Sequence, residues 1–235
     1  MIHTPLVLRI HELDDPAFVH GFSTMAVGTV GLTHAPDPVP VLASRRAFAR
    51  AVGIGDEPLT TAGAVHGSMV ARVDEPKDVV QGVDALVTNH RGVALFATFA
   101  DCYPIVLWDP VTRSAGLAHA GWRGTLAGVA KAAVNAMHDE FGTTPENVRA
   151  GIGPGICGRC YEVGADVASQ FEPRFLTPSG DRFLLDLAAA NLAQLEEAGV
   201  SDVHVLGLCT KETDFLPSHR RTPDGTRFGA IVALR

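Results

Sequence analysis

The sequence predicts an α/β fold in which mixed β-sheets are covered by helices, and three observations carry that reading. From about residue 59, short runs rich in Val, Leu, Ala and Phe follow one another, separated by Gly, Pro and Asp, as strands and turns do. Apolar residues at helical spacing are confined to separate segments before and after this region. Several strands therefore run consecutively before the first long helix, which argues against a simple alternating βαβ order.

Taken in order, residues 41–52 (VLASRRAFARAV) place Val41, Leu42, Phe48, Ala49 and Val52 near one helical face, and Gly53 stops the run. The runs GAVHGSMVARV (63–73), DALVTN (84–89), GVALFATF (92–99), PIVLWD (104–109) and SAGLAHA (114–120) read as strands of one or two packed sheets. After Gly124, the segment 125–141 spaces Leu126, Val129, Ala133, Val134, Met137 and Phe141 as one long helix ending at Gly142. A strand at VRAGIG (148–153), a Gly/Cys loop and a helix over roughly 164–172 follow. Asp186 caps and Gly199 ends a helix over 187–198, and the strands VHVLGL (203–208) and FGAIVAL (228–234) close the chain.

The 235 residues suffice to bury a sizeable core, and no Pro/Ser-rich or charge-rich stretch divides them, so residues 1–235 read as one domain. Hydrophobic residues (46%) and charged residues (19%) are mixed along the chain, as in a globular rather than a disordered protein. The formal net charge is -7 and no basic run occurs, which argues against nucleic acid as a partner. The opening MIHTPLVLRIHELDD lacks the pattern of an export signal, and no apolar run approaches the ~20 residues that span a bilayer, so the expectation is a cytoplasmic protein without a membrane partner. Four cysteines make no disulfide scaffold at this length; a special cysteine is then a ligand or a nucleophile.

Asp101 and Cys102 lie just after an apolar strand and just before Pro104, where a loop begins. His66 stands beside Gly67 and Ser68, and His119 stands at a strand end in LAHAGWRG. Each has a plainer reading: a cysteine beside an apolar run packs as a small hydrophobe, and a lone histidine is more often structural than a ligand. Together, two neutral imidazoles and a thiolate suit zinc and leave a fourth position open, as catalytic zinc sites do. Zinc there would deprotonate Cys102 and lower the pKa of a bound water from near 16 toward ~7. The separations of 36 and 17 residues form no short metal motif, so spacing alone does not establish the site.

Arg123, between Gly121 and Gly124 at the head of the expected long helix, either holds an anion there or braces the loop. Trp122 either stacks on a base or packs, and packing is the simpler reading. GPGICG (153–158) matches GxGxxG, but Pro154 and the lack of an acid ~20 residues on argue against a dinucleotide site. Cys157 and Cys160 form a CxxC with no second CxxC and no His pair nearby, and read as structural.

The run ADC followed by Pro104, HAGWRG at 119–124, VHG at 65–67 and GPGICGRCYEVG at 153–164 together resemble the multicopper polyphenol oxidase or laccase-domain family, whose members are now regarded as purine nucleoside phosphorylases and adenosine deaminases. The likeness runs from HGFST at 20–24 to SHRR at 218–221 and RFGAIVAL, nearly the whole chain. It implies an α/β/β/α arrangement of mixed sheets sandwiched between helices, related to a group of cysteine hydrolases. It also implies that His66, Cys102 and His119 bind zinc. The implied reactions are phosphorolysis of adenosine, inosine, guanosine or S-methyl-5'-thioadenosine to base and pentose 1-phosphate, with adenosine deamination as a second activity. Purine nucleosides and phosphate are then the partners of a monomer or homodimer. In that setting Asp101 is the candidate proton shuttle, and Arg123 and Arg45 are the candidate phosphate contacts. Cys209, in GLCTKE, matches the family's late CT element and is expected to pack near the site.

Met25, Ala64, Ser44 and His219 stand where the family commonly has Arg, Gln, Asn and an aromatic residue; they spare the three ligands and bear on substrate contacts. Two other readings stay open. Copper-dependent oxidation of polyphenols needs further paired histidines, and no HxH pair occurs. A metal-free hydrolase would use Cys102 as nucleophile and His119 or His66 as base on an amide such as a peptidoglycan precursor.

Overall fold

The computed structural model describes residues 4–33 and 35–235. Strands β1 (Val7–Leu8) and β2 (Phe18–Ser23) come first, and the hydrophobic runs singled out above include neither. Helix α1 (Pro38–Val52) begins three residues before the expected segment. Asp37 caps it by accepting from the Val39 amide, Pro38 sits in the first turn where its missing N–H is harmless, and Gly53 ends it at φ 102°.

The run 63–73 is not one strand. β3 (Leu59–Gly63) stops before His66, which has φ 62°, and β4 (Val70–Arg72) starts after it. β5 (Val79–Gln81) is new, whereas β6 (Ala85–Thr88), β7 (Ala94–Phe99), β8 (Tyr103–Asp109) and β9 (Ser114–Ala120) fall in the expected runs. The single helix expected after Gly124 is two, α2 (Trp122–Leu126) and α3 (Val129–Phe141), because Gly128 between them is left-handed at φ 79°. The apolar spacing runs on across that break, so periodicity alone does not reveal it.

β10 (Arg149–Ile152) and β11 (Glu162–Val163) precede α4 (Ala165–Ala168), which is one turn rather than a helix over 164–172. The chain instead reaches Pro173 and forms a hairpin, β12 (Leu176–Ser179) and β13 (Arg182–Leu185). α5 (Leu187–Glu197) carries the expected Asp186 cap, and Gly199 at φ 90° follows it. β14 (Asp202–Val205) and β15 (Phe228–Leu234) complete the framework.

Two six-stranded sheets result, ordered β1-β2-β15-β7-β3-β5 and β14-β10-β8-β9-β6-β4, with a small sheet β11-β13-β12 beside them. Both large sheets are mixed: β15 is antiparallel to β2 and β7 while β3 is parallel to β7. In the second sheet β8 is antiparallel to β9 and β10, while β10 is parallel to β14 and β6 to β4. Alternation along β15 explains the layering. Phe228, Ala230, Val232 and Leu234 share a core with Val106, Trp108 and Leu117 of the second sheet, whereas Ile231 and Ala233 meet Phe48, Ala49 and Val52 of α1. On β8 the opposite parity, Ile105 and Leu107, meets Ala133, Val134 and Met137 of α3. α1 therefore covers one sheet and α3 with α5 covers the other. Trp108, 1% exposed and stacked on Phe18 at 5.0 Å, sits between the sheets, and truncating it to alanine would cost about 3–5 kcal/mol. Among the described residues, no helix is long and apolar enough to cross a membrane.

β2 also buries a histidine. His20 is 2% exposed and its Nε2 accepts from the Ile10 amide at 3.0 Å. Burial, partly opposed by Asp14, lowers its pKa to about 4. The neutral ring's contribution is thus complete above the unfolded value near 6.5 and is lost as pH falls toward about 4, on the order of 3 kcal/mol in all. Urea unfolding at pH 7 and at about pH 4.5 should show this loss in the wild type and a smaller one in His20→Gln, which keeps an acceptor without titrating. Equal losses in both would exclude His20 as the source.

Candidate functional site

The chain passes from the first sheet to the second between β3 and β4, between β5 and β6, and between β7 and β8. The first of these crossings carries His66, the second ends at Asp84 and the third carries Cys102, while His119 lies on β9 opposite Pro104 of β8. These crossings bring together what the sequence separates. The ligand atoms of His66, Cys102 and His119 all lie within 4.8 Å of one another, and the two imidazoles meet edge to face at 4.9 Å.

The group that holds the two histidines is Asp84, which the sequence reading does not single out. It is fully buried at the head of β6. Its carboxylate accepts from the amides of Val65 at 3.2 Å, His66 at 2.8 Å and Gly67 at 2.7 Å, and meets His119 Nδ1 at 3.2 Å. Its carbonyl accepts from the His119 amide at 2.7 Å. Three convergent N–H groups make a cradle for one negative charge, and they hold His66 in a left-handed conformation that few non-glycine residues adopt. Burial opposes the charge on Asp84, but His119 and the amides outweigh it and keep the carboxyl below its usual pKa. With Nδ1 turned to Asp84, the Nε2 of His119 is left for a ligand. The only sequence signal was an acid at the start of DALVTN, a common strand boundary.

Burial pushes the Cys102 thiol up, but His119 and then His66 outweigh it and bring its pKa down to about 6. Burial likewise pushes His119 down, but Cys102 and Asp84 outweigh it and raise the ring to about 9. The donor set can hold a metal ion, and its chemistry fits zinc: two imidazoles, a thiol that ionises readily, and one coordination position left open. Gly121, following β9, makes room for it. A Cβ there would stand 2.7 Å from Cys102 Sγ and 3.2 Å from His66 Cδ2.

A cavity of about 530 Å³, within the range of small-molecule sites, is lined by the triad together with Arg45, Arg227 and Ala64. Arg45 reaches in from α1, its Nε donating to the Val30 carbonyl at 2.8 Å and its guanidinium lying 4.7 Å over Phe96. Burial lowers its pKa to about 10, so it stays charged at neutral pH. Arg227, just before β15, escaped notice in the sequence, where the RFG that opens the last strand was its only trace. Of the four departures from the family pattern, Ala64 is the one that lines this cavity.

Other candidates lie elsewhere. Asp101 adjoins Cys102, but its carboxylate is engaged on both oxygens, accepting from the Thr210 hydroxyl at 2.6 Å and the Arg220 amide at 2.9 Å. Arg123 is exposed with its guanidinium 4.2 Å over the Trp122 ring, and Trp122 packs against the core. Because α2 ends after five residues, the anion-binding head of a long helix expected at Arg123 is not formed. Cys209 is buried and joins Cys157 and Cys160 in a second cluster, and its neighbour Thr210 bonds to Asp101 beside the first site.

A family model described as multi-copper polyphenol oxidoreductase laccase matches residues 20–235. A purine nucleoside phosphorylase of Deinococcus radiodurans is 40% identical over 240 residues, covering 97% of this chain and 92% of that protein. The adenosine deaminase RL5, from an unknown prokaryotic organism, is 34% identical over 187 residues, covering 72% of this chain and 71% of that protein. The crystal structure of the hypothetical protein YfiH from Bacillus licheniformis matches with a TM-score of 0.91 at 25% identity, covering 100% of this chain and 98% of that chain. By sequence and by fold, this chain belongs to the multi-copper polyphenol oxidoreductase laccase family, alongside relatives named as purine nucleoside phosphorylases and as an adenosine deaminase.

Proposed function

We propose that this chain is a zinc-dependent purine nucleoside phosphorylase, converting adenosine, inosine, guanosine or S-methyl-5'-thioadenosine to base and pentose 1-phosphate, with adenosine deamination as a second activity. The observation that carries the reading is a cluster of two histidines and a cysteine that could hold a metal ion, facing a cavity lined also by two arginines. The names of the relatives supply the substrate class.

His66, Cys102 and His119 would hold the zinc, which when bound supplies a Lewis acid at its open position. Asp84 acts as a positioning residue, fixing the backbone of His66 and the ring of His119. Arg45 and Arg227 offer charge-assisted hydrogen bonds to phosphate oxygens within reach of the triad. In phosphorolysis a phosphate oxygen forms the new bond to the pentose C1′, the bond from C1′ to the purine nitrogen breaks, and the base leaves with that electron pair and takes up a proton. Asp101, with both oxygens engaged by Thr210 and Arg220, serves to position the Cys102 loop. The exposed Arg123 is the weaker of the two phosphate contacts suggested by sequence.

Purified protein given adenosine and phosphate should release adenine and ribose 1-phosphate, with inosine appearing where deamination runs. Absence of product from every purine nucleoside overturns the proposal. Cys102→Ala should stay folded and lose zinc at the triad and product formation together. A metal-free protein that stays active, yet is stopped by a thiol reagent, would point instead to a Cys102–His119 hydrolase.

Asp84→Asn, which keeps the shape and removes the charge, should weaken zinc binding about 10–100-fold. Gly121 has φ -84°, a backbone that alanine accepts, so reduced zinc affinity in Gly121→Ala would report the clash at Cys102 Sγ. Calorimetric titration with zinc measures both, and unchanged affinities would remove the roles assigned to Asp84 and Gly121.

A further inference from the structure

The CxxC that has no partner in the sequence acquires one in the fold. Cys157-Gly158-Arg159-Cys160 faces Cys209-Thr210-Lys211-Glu212, a second half with the same spacing and a carboxylate in the last place. Both halves are the same turn. The Cys160 and Tyr161 amides donate to the Cys157 carbonyl at 2.9 and 3.0 Å, and the Glu212 and Thr213 amides donate to the Cys209 carbonyl at 3.2 and 2.9 Å. A bridge between Gly155 and Cys209 joins the two, and the Cys157 amide donates to Cys209 Sγ at 3.3 Å.

The three sulfurs and a Glu212 oxygen all lie within 4.8 Å of one another. Glu212 Oε1 is 3.4 Å from Cys160 Sγ and Oε2 is 3.8 Å from Cys157 Sγ. Tetrahedral zinc with bonds to sulfur of ~2.3 Å separates its sulfur ligands by roughly 3.7 Å, so these donors need move little to enclose an ion. All four cysteines of the chain are free thiols.

We propose that Cys157, Cys160, Cys209 and Glu212 form a second zinc site, structural in role and separate from the His66, Cys102 and His119 triad. Thiolate donors select zinc over the hard cations magnesium and calcium, and a set of four protein donors leaves no position for substrate. Binding would release the three thiol protons. Arg159 bonds to both oxygens of Glu212, with Nε at 2.8 Å, which orients the carboxylate and offsets part of the negative charge. Cys157 and Cys209 also line a cavity of about 450 Å³, an entry path for the ion.

The consequence reaches the first site. The two turns carry Ile156 and Thr210, and both grip Asp101: the Ile156 amide donates to its carbonyl at 3.0 Å and the Thr210 hydroxyl to its carboxylate at 2.6 Å. Zinc between the turns would therefore fix the residue next to Cys102.

The test uses the full chain carrying Cys102→Ala, which leaves the second site as the one thiolate site. Titration with cobalt(II) should give one ion per chain with intense sulfur-to-cobalt absorption, and zinc should protect three thiols from alkylation, read by mass spectrometry. Adding Cys157→Ser and Cys160→Ser should abolish both signals. The protection measurement needs only the Cys102→Ala chain, so it stands even if the further variant fails to fold. Thiols alkylated equally with and without zinc would overturn the proposal. So would cobalt uptake indifferent to Cys157→Ser and Cys160→Ser, or a mass two hydrogens low showing these cysteines joined as a disulfide.

Discussion

One buried carboxylate, Asp84, ties the first sheet-to-sheet crossing to the middle of the second sheet, and both histidines of the triad depend on it. A charge taken out of water costs several kcal/mol unless hydrogen bonds replace the lost solvation. Asp84 obtains that replacement from three consecutive amides of the His66 loop and from the His119 ring. The loop is in turn held by the charge, since His66 would otherwise leave its left-handed backbone. Burial, loop conformation and ligand orientation are thus aspects of a single arrangement.

The same arrangement explains why the cavity can combine opposite demands. Cys102 and His119 stabilise each other in their charged forms, and Asp84 supports the imidazolium from the side away from the cavity. A cation docking at the triad would meet a thiolate at Cys102 and displace the extra proton of the His119 ring. Arg45 and Arg227 stand on the cavity wall as positive groups that do not compete for the same donors.

What could be read from sequence follows from how much of each element is buried. β7, β8, β9 and β15 lie between covered faces, so they appear as unbroken apolar runs. α5 was legible through Asp186 and Gly199. The two-residue strands β1 and β11, and the three-residue β5, are too short to carry a pattern. The break at Gly128 was hidden because apolar spacing continues through it. In the site, His66, Cys102 and His119 were legible through the ADC, VHG and HAGWRG motifs and not through spacing. Asp84 and Arg227 were not legible, because an acid or a base at a strand boundary is commonplace and only the fold shows what it faces. Cys209 and Glu212 were invisible as partners of Cys157 and Cys160 for a similar reason: a CxxE half-site looks like nothing until a CxxC is laid against it.

The crossings that carry His66 and Cys102 have a consequence for the order in which the molecule assembles. No two members of the triad lie close in the chain, His66 and Cys102 arriving on different connections and His119 on β9, so the pocket has no local precursor. It comes into being only once the sheets have stacked and the amides of 65–67 have closed on Asp84. An ion captured at the triad would therefore lock a structure already reached rather than guide the chain toward it, and a nascent chain remains without this site until more than half its length has emerged and paired.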